Sequence, residues 1–181
     1  VTGGGQRPPG WGIVQLDLAG TAVFAASAIW SAVVFDGAAR VQGVAVALGL
    51  FAVGIFAFLW GYWTAVQRSR TDELSVAELY FLTGHATPRQ VKVPMNLALA
   101  AQCVVGLATA LARPSTDGRP GSTLAFGVLV PMFGLGLNGL WAARHGRFGP
   151  RRRRVDEPAP DAGDDTPDAD DAVPPGAGPI G

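Results

Sequence analysis

The chain has 181 residues, of which 49% are apolar and only 15% charged, and its mean hydropathy is +0.27. A soluble domain of this length carries roughly 25% charged residues, so the composition excludes an ordinary water-soluble globule and points to a membrane protein. The net charge of zero conceals two opposed blocks, because eight of the fourteen acids lie between Asp156 and Asp171 and six of the fourteen bases between Arg144 and Arg154.

Thirteen of the bases are Arg and one, Lys92, is Lys, in a chain rich in Ala and Gly. That bias reads as a GC-rich bacterial genome. The one cysteine, Cys103, excludes an intramolecular disulfide and a Cys-based metal site.

Residues 1–15 read as a flexible N-terminal segment. A membrane-crossing helix needs about 20 mostly apolar residues, and four stretches qualify: about 16–35, 41–62, 94–112 and 124–143. They contain no Lys or Arg, and Asp17 is their only charge. Soluble buried helices would leave no amphipathic shell to face water, so the expectation is an all-α, polytopic membrane protein with four transmembrane helices as two antiparallel hairpins. Ala26-Ser27-Ala28 resembles a signal cleavage site, but the apolar run continues past it, and an uncleaved first helix is expected. DGAAR separates the first two spans.

Eleven of the bases fall on the side that holds the N-terminus, the loop 63–93 and the tail, and three on the other. The positive-inside rule then puts both termini in the cytoplasm of a bacterium, with the bundle in its inner membrane. Trp11, Trp60, Tyr62, Trp63 and Trp141 lie near span ends, as interfacial aromatics do, whereas Trp30 lies deeper.

Residues 134–139 read GLGLNG, the spacing of a dinucleotide fingerprint. That site needs a preceding strand and a helix N-terminus in contact with water, and the fourth apolar run supplies neither. The glycines read instead as small residues that admit a neighbouring helix, with Asn138 adding an interhelical hydrogen bond and Pro131 kinking the helix or loosening its hydrogen bonds. Gly43, Gly49 and Gly54 give the second span a similar surface.

Asp17 stands one or two residues into its expected span, which makes it an interfacial acid near a helix N-terminus. The alternative is a transport path formed by Asp17 and Gln102. A lone acid on the first of four helices is similar to the small multidrug-type proton-coupled exporters, four-helix proteins that act as dimers, although an exchange carboxylate should lie deeper. Gln102, with Asn96, Cys103 and Thr109, reads as hydrogen-bonding glue between helices. No spacing of His85 or His145 makes a metal site, and no nucleophile, zinc-protease or P-loop motif is present, so no catalytic residue, cofactor or metal is expected and the chain does not read as an enzyme.

In RSRTDELSVAELYFLTGHATPRQVKVP, residues 68–94, Thr71 and Ser75 offer caps and Gly84 a stop, predicting a short helix over 72–83. Its apolar residues do not share one face, so they require burial against the bundle, headgroups or a partner. Leu74, Glu78, Tyr80 and Phe81 are the candidate partner contacts. Beyond residue 143, Arg151, Arg152, Arg153 and Arg154 are suited to anionic lipid headgroups, and the acidic, proline-rich remainder of 144–181 reads as disordered. With no aromatic platform beside the arginines, nucleic acid is not an expected partner.

The four apolar spans, the TDELSVAELYFLTG loop and the arginine-then-acid tail resemble the small four-helix integral membrane proteins of actinobacteria without assigned activity. That resemblance implies a multi-pass membrane protein and assigns no functional residue. The expected function is a non-enzymatic accessory or scaffolding subunit of a cell-envelope assembly, contacting a membrane-protein partner or a second copy. The alternative is a small oligomeric transporter or channel.

Overall fold

The structure, a computed structural model, describes residues 8–69, 76–83, 87–116, 119–120 and 122–147. Among them, four helical segments are long and apolar enough to cross a membrane: Trp11–Val34, Gly37–Arg68, Arg89–Ala112 and Thr123–His145. The chain is an all-α multi-pass membrane protein. Each segment begins before its apolar run does, because polar and small residues at the helix starts are tolerated once the turn behind them is packed.

Helix α1 is Trp11–Val34 and α2 is Gly37–Arg68. Only Phe35 and Asp36 join them, fewer than the DGAAR stretch suggests. Phe35 adopts a left-handed conformation, φ 48°, and closes α1 by donating its N–H to the Ser31 carbonyl. Asp36 caps α2, its Oδ1 accepting from the Ala39 N–H at 2.7 Å. The 32 residues of α2 reach about 48 Å at 1.5 Å per residue, more than a hydrocarbon core of about 30 Å, so one end of α2 projects beyond it.

After α2 comes the short helix α3, Val76–Tyr80, and then α4, Arg89–Ala112, which takes Pro94 into its second turn. A two-residue antiparallel bridge, Ser115–Thr116 with Arg119–Pro120, lies in the connection to the fourth span. That span has two parts: a 3-10 segment, Thr123–Leu129, followed by α5, Pro131–His145. Pro131 therefore opens an α-helix at its first turn, where a missing N–H costs nothing, instead of kinking one from inside.

Helix directions follow from the contact levels. A Cβ on Gly20 of α1 would approach Leu50 of α2, and one on Gly43 would approach Ser31, so α1 and α2 are antiparallel. Gly54 meets Phe133, Gly61 meets Leu140, and Arg68 donates to the carbonyls of Ala143 at 2.8 Å and Gly146 at 3.2 Å, so α2 and α5 run parallel. The most extensive packing is this contact between α2 and α5, while α1 packs chiefly on α4. Sequence neighbours touch as well, but contacts between nonadjacent spans hold the bundle.

The outer face of α2 leaves Val53, Phe56, Leu59, Trp60 and Trp63 exposed, and α4 does the same with Leu97, Val104, Leu107 and Leu111. Bilayer hydrocarbon is the solvent that such faces require. Trp30 is 56% exposed and faces outward from α1. Trp141 corrects the interfacial assignment, because it is fully buried among Val14, Leu82 and Phe133 in the main apolar cluster.

A methyl on Gly54 would fall 2.5 Å from the Phe133 backbone, and one on Gly136 would run into the Gly54 carbonyl oxygen. Gly54→Ala and Gly136→Ala are each expected to destabilise the bundle by about 1–3 kcal/mol, as overpacking against backbone does. Gly49→Ala, where a Cβ meets nothing within 4 Å, should be neutral or stabilising by about 0.5–1 kcal/mol. Thermal unfolding in detergent reads the contrast, and equal melting temperatures for all three variants would show that the contact is not tight.

Candidate functional site

Two polar nodes are built into the apolar bundle. The first centres on Gln102, near the middle of α4 and fully buried. Its Nε2 donates to Asp17 Oδ1 at 3.2 Å and to Thr21 Oγ1 at 2.7 Å, one proton to each. Its Oε1 accepts from the Gly134 N–H at 3.2 Å. Thr21 donates its own hydroxyl to the Asp17 carbonyl at 2.8 Å.

The Gly134 N–H is available because the fourth span breaks at Pro131. The Val130 carbonyl, which an unbroken helix would give to Gly134, accepts from Phe133 at 2.7 Å. Gly134 also has to be glycine for the contact to close, since a Cβ there would lie 2.7 Å from Gln102 Oε1. One side chain thus ties α1, α4 and α5 together.

Asp17 is enclosed by the packed helices. Helix α1 starts at Trp11, six residues before it and roughly 9 Å along the axis. Asp17 has no exposed surface, and its Oδ2 is buried without a hydrogen-bond partner among the described residues. Trp11, Ile13 and Val14 pack on the core ahead of the apolar run, so the helix begins before that run does. A carboxylate enclosed in this way costs several kcal/mol unless paired or wetted, and Oδ2 shares its lack of a partner on α1 with Ser27 Oγ among the described residues.

The second node holds α3 against the end of the bundle. Asn138 Nδ2 donates to the Tyr80 carbonyl at 2.9 Å and reaches Asn96 Oδ1 at 3.5 Å, and Asn96 Nδ2 donates to the Phe81 carbonyl at 2.9 Å. The Tyr80 ring fits over Gly139, where a Cβ would lie 2.5 Å from its Cε1, and stacks on Phe58 with centroids 4.7 Å apart. Leu82 then turns left-handed, φ 52°, and is fully buried. A left-handed leucine costs about 1–2 kcal/mol, which full burial of its side chain, about 1.5–3 kcal/mol, offsets.

Helix α3 ends at Tyr80 instead of running to residue 83, because Leu82 turns left-handed and takes the chain out of the helix. The Tyr80 and Phe81 carbonyls, left free by that end, are taken by two asparagine amides. The expected turns before Val76 and the Gly84 stop lie outside the described residues.

The GLGLNG motif therefore serves three contacts: Gly134 admits Gln102, Gly136 the α2 backbone, and Gly139 the Tyr80 ring. Asn138 forms its interhelical bond to the α3 backbone.

Asp17 and Gln102 are brought together. Among the candidate partner contacts, Phe81 is 51% exposed, Glu78 is half-buried and Tyr80 is buried by its own bundle, so Tyr80 is a docking residue of α3 and not an accessible contact. Burial, and next the neighbouring Tyr62, push the Tyr80 hydroxyl above its usual range. Leu74 and Arg151, Arg152, Arg153 and Arg154 lie outside the described residues. Sequence reasoning missed Thr21, although its position one helical turn after Asp17 was a usable signal.

Gln102→Leu removes every partner of the Asp17 side chain and strands the Gly134 N–H. A loss of about 1–3 kcal/mol is expected. Adding Asp17→Leu should restore part of that loss, because no carboxyl is then left unpaired. Melting temperatures of the two single variants and the double variant test the coupling, and strictly additive shifts would show that the two residues do not interact.

Searched against family models, curated proteins and solved structures, the chain matches none, so what can be said of its function rests on the geometry above.

Proposed function

We propose that the protein is a non-enzymatic accessory or scaffolding subunit of a cell-envelope assembly, set in the bacterial inner membrane with both termini cytoplasmic. The observation that carries this reading is the second node. A loop that only joined two spans would have no need of two asparagine bonds to its backbone, a left-handed leucine and a glycine cut to fit a tyrosine ring. Such an investment fixes the position of α3, and a fixed surface suits recognition by reducing the ordering cost of binding. Phe81 and Glu78 are what this segment then offers to a partner, and the arginine run beyond residue 150 has the charge to hold anionic headgroups.

The second reading is a small oligomeric transporter or channel, favoured by the unpartnered Asp17 Oδ2. It requires a wetted route to an atom that the glycine-packed bundle encloses.

Mild-detergent purification from the native membrane, with mass-spectrometric stoichiometry, is expected to recover a partner at fixed ratio. Phe81→Ala should reduce that recovery severalfold without unfolding the chain, because Asn96 bonds the backbone carbonyl of Phe81 and not its side chain. Recovery of the chain with itself alone would remove the scaffold reading. In proteoliposomes, the transport reading then predicts proton-coupled flux by the unaltered chain that Asp17→Asn abolishes, and an unaltered chain with no flux above background would remove that reading.

A further inference from the structure

Between α2 and α3 runs an open groove of about 460 Å³, walled by Phe58, Leu59, Tyr62, Val66, Leu79 and Tyr80. Its volume falls within the range of about 300–1,000 Å³ typical of ligand sites. Apart from the tyrosine hydroxyls and Ser69, the lining is carbon. No array of donors or charges is present to orient a water-soluble ligand.

The position of the groove identifies its occupant. Leu59 is 58% exposed and belongs both to the groove and to the outer face of α2, which continues through Val53, Phe56 and Trp63. That face requires bilayer hydrocarbon, so the groove opens from the lipid side and is continuous with the membrane surface. Trp60, Tyr62 and Trp63 are all about half exposed or more at this level, the placement of an interfacial aromatic belt. Acyl chains descend from their headgroups at that depth.

The groove is also held open by rigid parts. Tyr80, its floor, is stacked on Phe58 and seated on Gly139, and the Tyr80 carbonyl is bonded by Asn138. Val76, 72% exposed, stands on its α3 wall.

We infer that the groove between α2 and α3 is a binding site for one acyl chain of a bilayer phospholipid, which α3 clasps against the end of α2. The site is independent of whether the protein is a scaffold or a transporter. It makes the bound lipid part of the packing of α3, recognised by its hydrocarbon and not by its headgroup.

The test uses the full chain in phosphatidylcholine vesicles doped with phosphatidylcholine bearing a diazirine on one acyl chain, with adducts mapped by peptide mass spectrometry after illumination. Labelling of residues 58–66 and 76–80 is expected to exceed that of the open α4 face at Val104, Leu107 and Leu111 by on the order of tenfold. Val66→Trp fills the groove from a site 42% exposed and should reduce the excess to the α4 level. The unchanged α4 labelling reports that the variant is folded. Equal labelling of both surfaces, or an excess that survives Val66→Trp, would overturn the proposal. So would groove labelling that appears only after residues 71–75 are replaced by Gly and Ser, because the chain's own segment would then be the occupant.

Discussion

The structure depends on how closely the backbones of α2 and α5 approach one another. Between helices in a bilayer there is little hydrophobic driving force, since lipid tails are as apolar as leucine, and association relies on packing and hydrogen bonding. Gly54, Gly61 and Gly136 let the two backbones touch, over a contact long enough that Arg68 at the end of α2 reaches the last carbonyls of α5. A side chain at either Gly54 or Gly136 would hold the helices apart. With them held together, α5 is set at a fixed height and rotation, and both polar nodes follow from that placement.

Each node uses a place where a regular helix stops. At Pro131 the change from 3-10 to α-helix leaves the Gly134 N–H to Gln102, and at Tyr80 and Phe81 the end of α3 leaves two carbonyls to Asn138 and Asn96. Backbone groups without partners are intolerable at membrane depth, so each break needs a side-chain amide opposite it. The amides in turn specify which helices are neighbours: Gln102 joins α1, α4 and α5, and Asn138 with Asn96 joins α3, α4 and α5. Packing alone would tolerate small rotations of these helices, whereas the hydrogen bonds do not.

The two nodes differ in what they hold, a carboxyl group in one and the short helix α3 in the other, and that difference underlies the two functional readings. The α3 node bonds two backbone carbonyls and fixes α3 at one end of the bundle, the feature that the scaffold reading uses, although its Asn138 Oδ1 and Tyr80 hydroxyl are buried without partners among the described residues. The Asp17 node leaves one carboxyl oxygen unpartnered inside the span, which is the feature that supports transport. Tyr80 contributes to function indirectly, as the floor on which α3 and the adjoining groove are built.

The number of spans and their approximate limits were legible in the sequence, because a run of about 20 residues without charge has few alternatives to a membrane helix. The dismissal of GLGLNG as a nucleotide site and its reading as a packing surface were legible too, from the missing strand and the apolar context. The enclosure of Asp17 was not, since Gln102, which meets its carboxyl group, lies 85 residues further along the chain. Nor was the early end of α3, where the left-handed Leu82 is buried and the freed carbonyls meet Asn96 and Asn138, 15 and 58 residues away. Local composition determined that this chain enters a membrane as helices. Which glycine faces which backbone, which amide meets which broken turn, and that Asp17 is enclosed while Phe81 is exposed were decided only when four helices packed, because each of those facts is a relation between residues far apart in the chain.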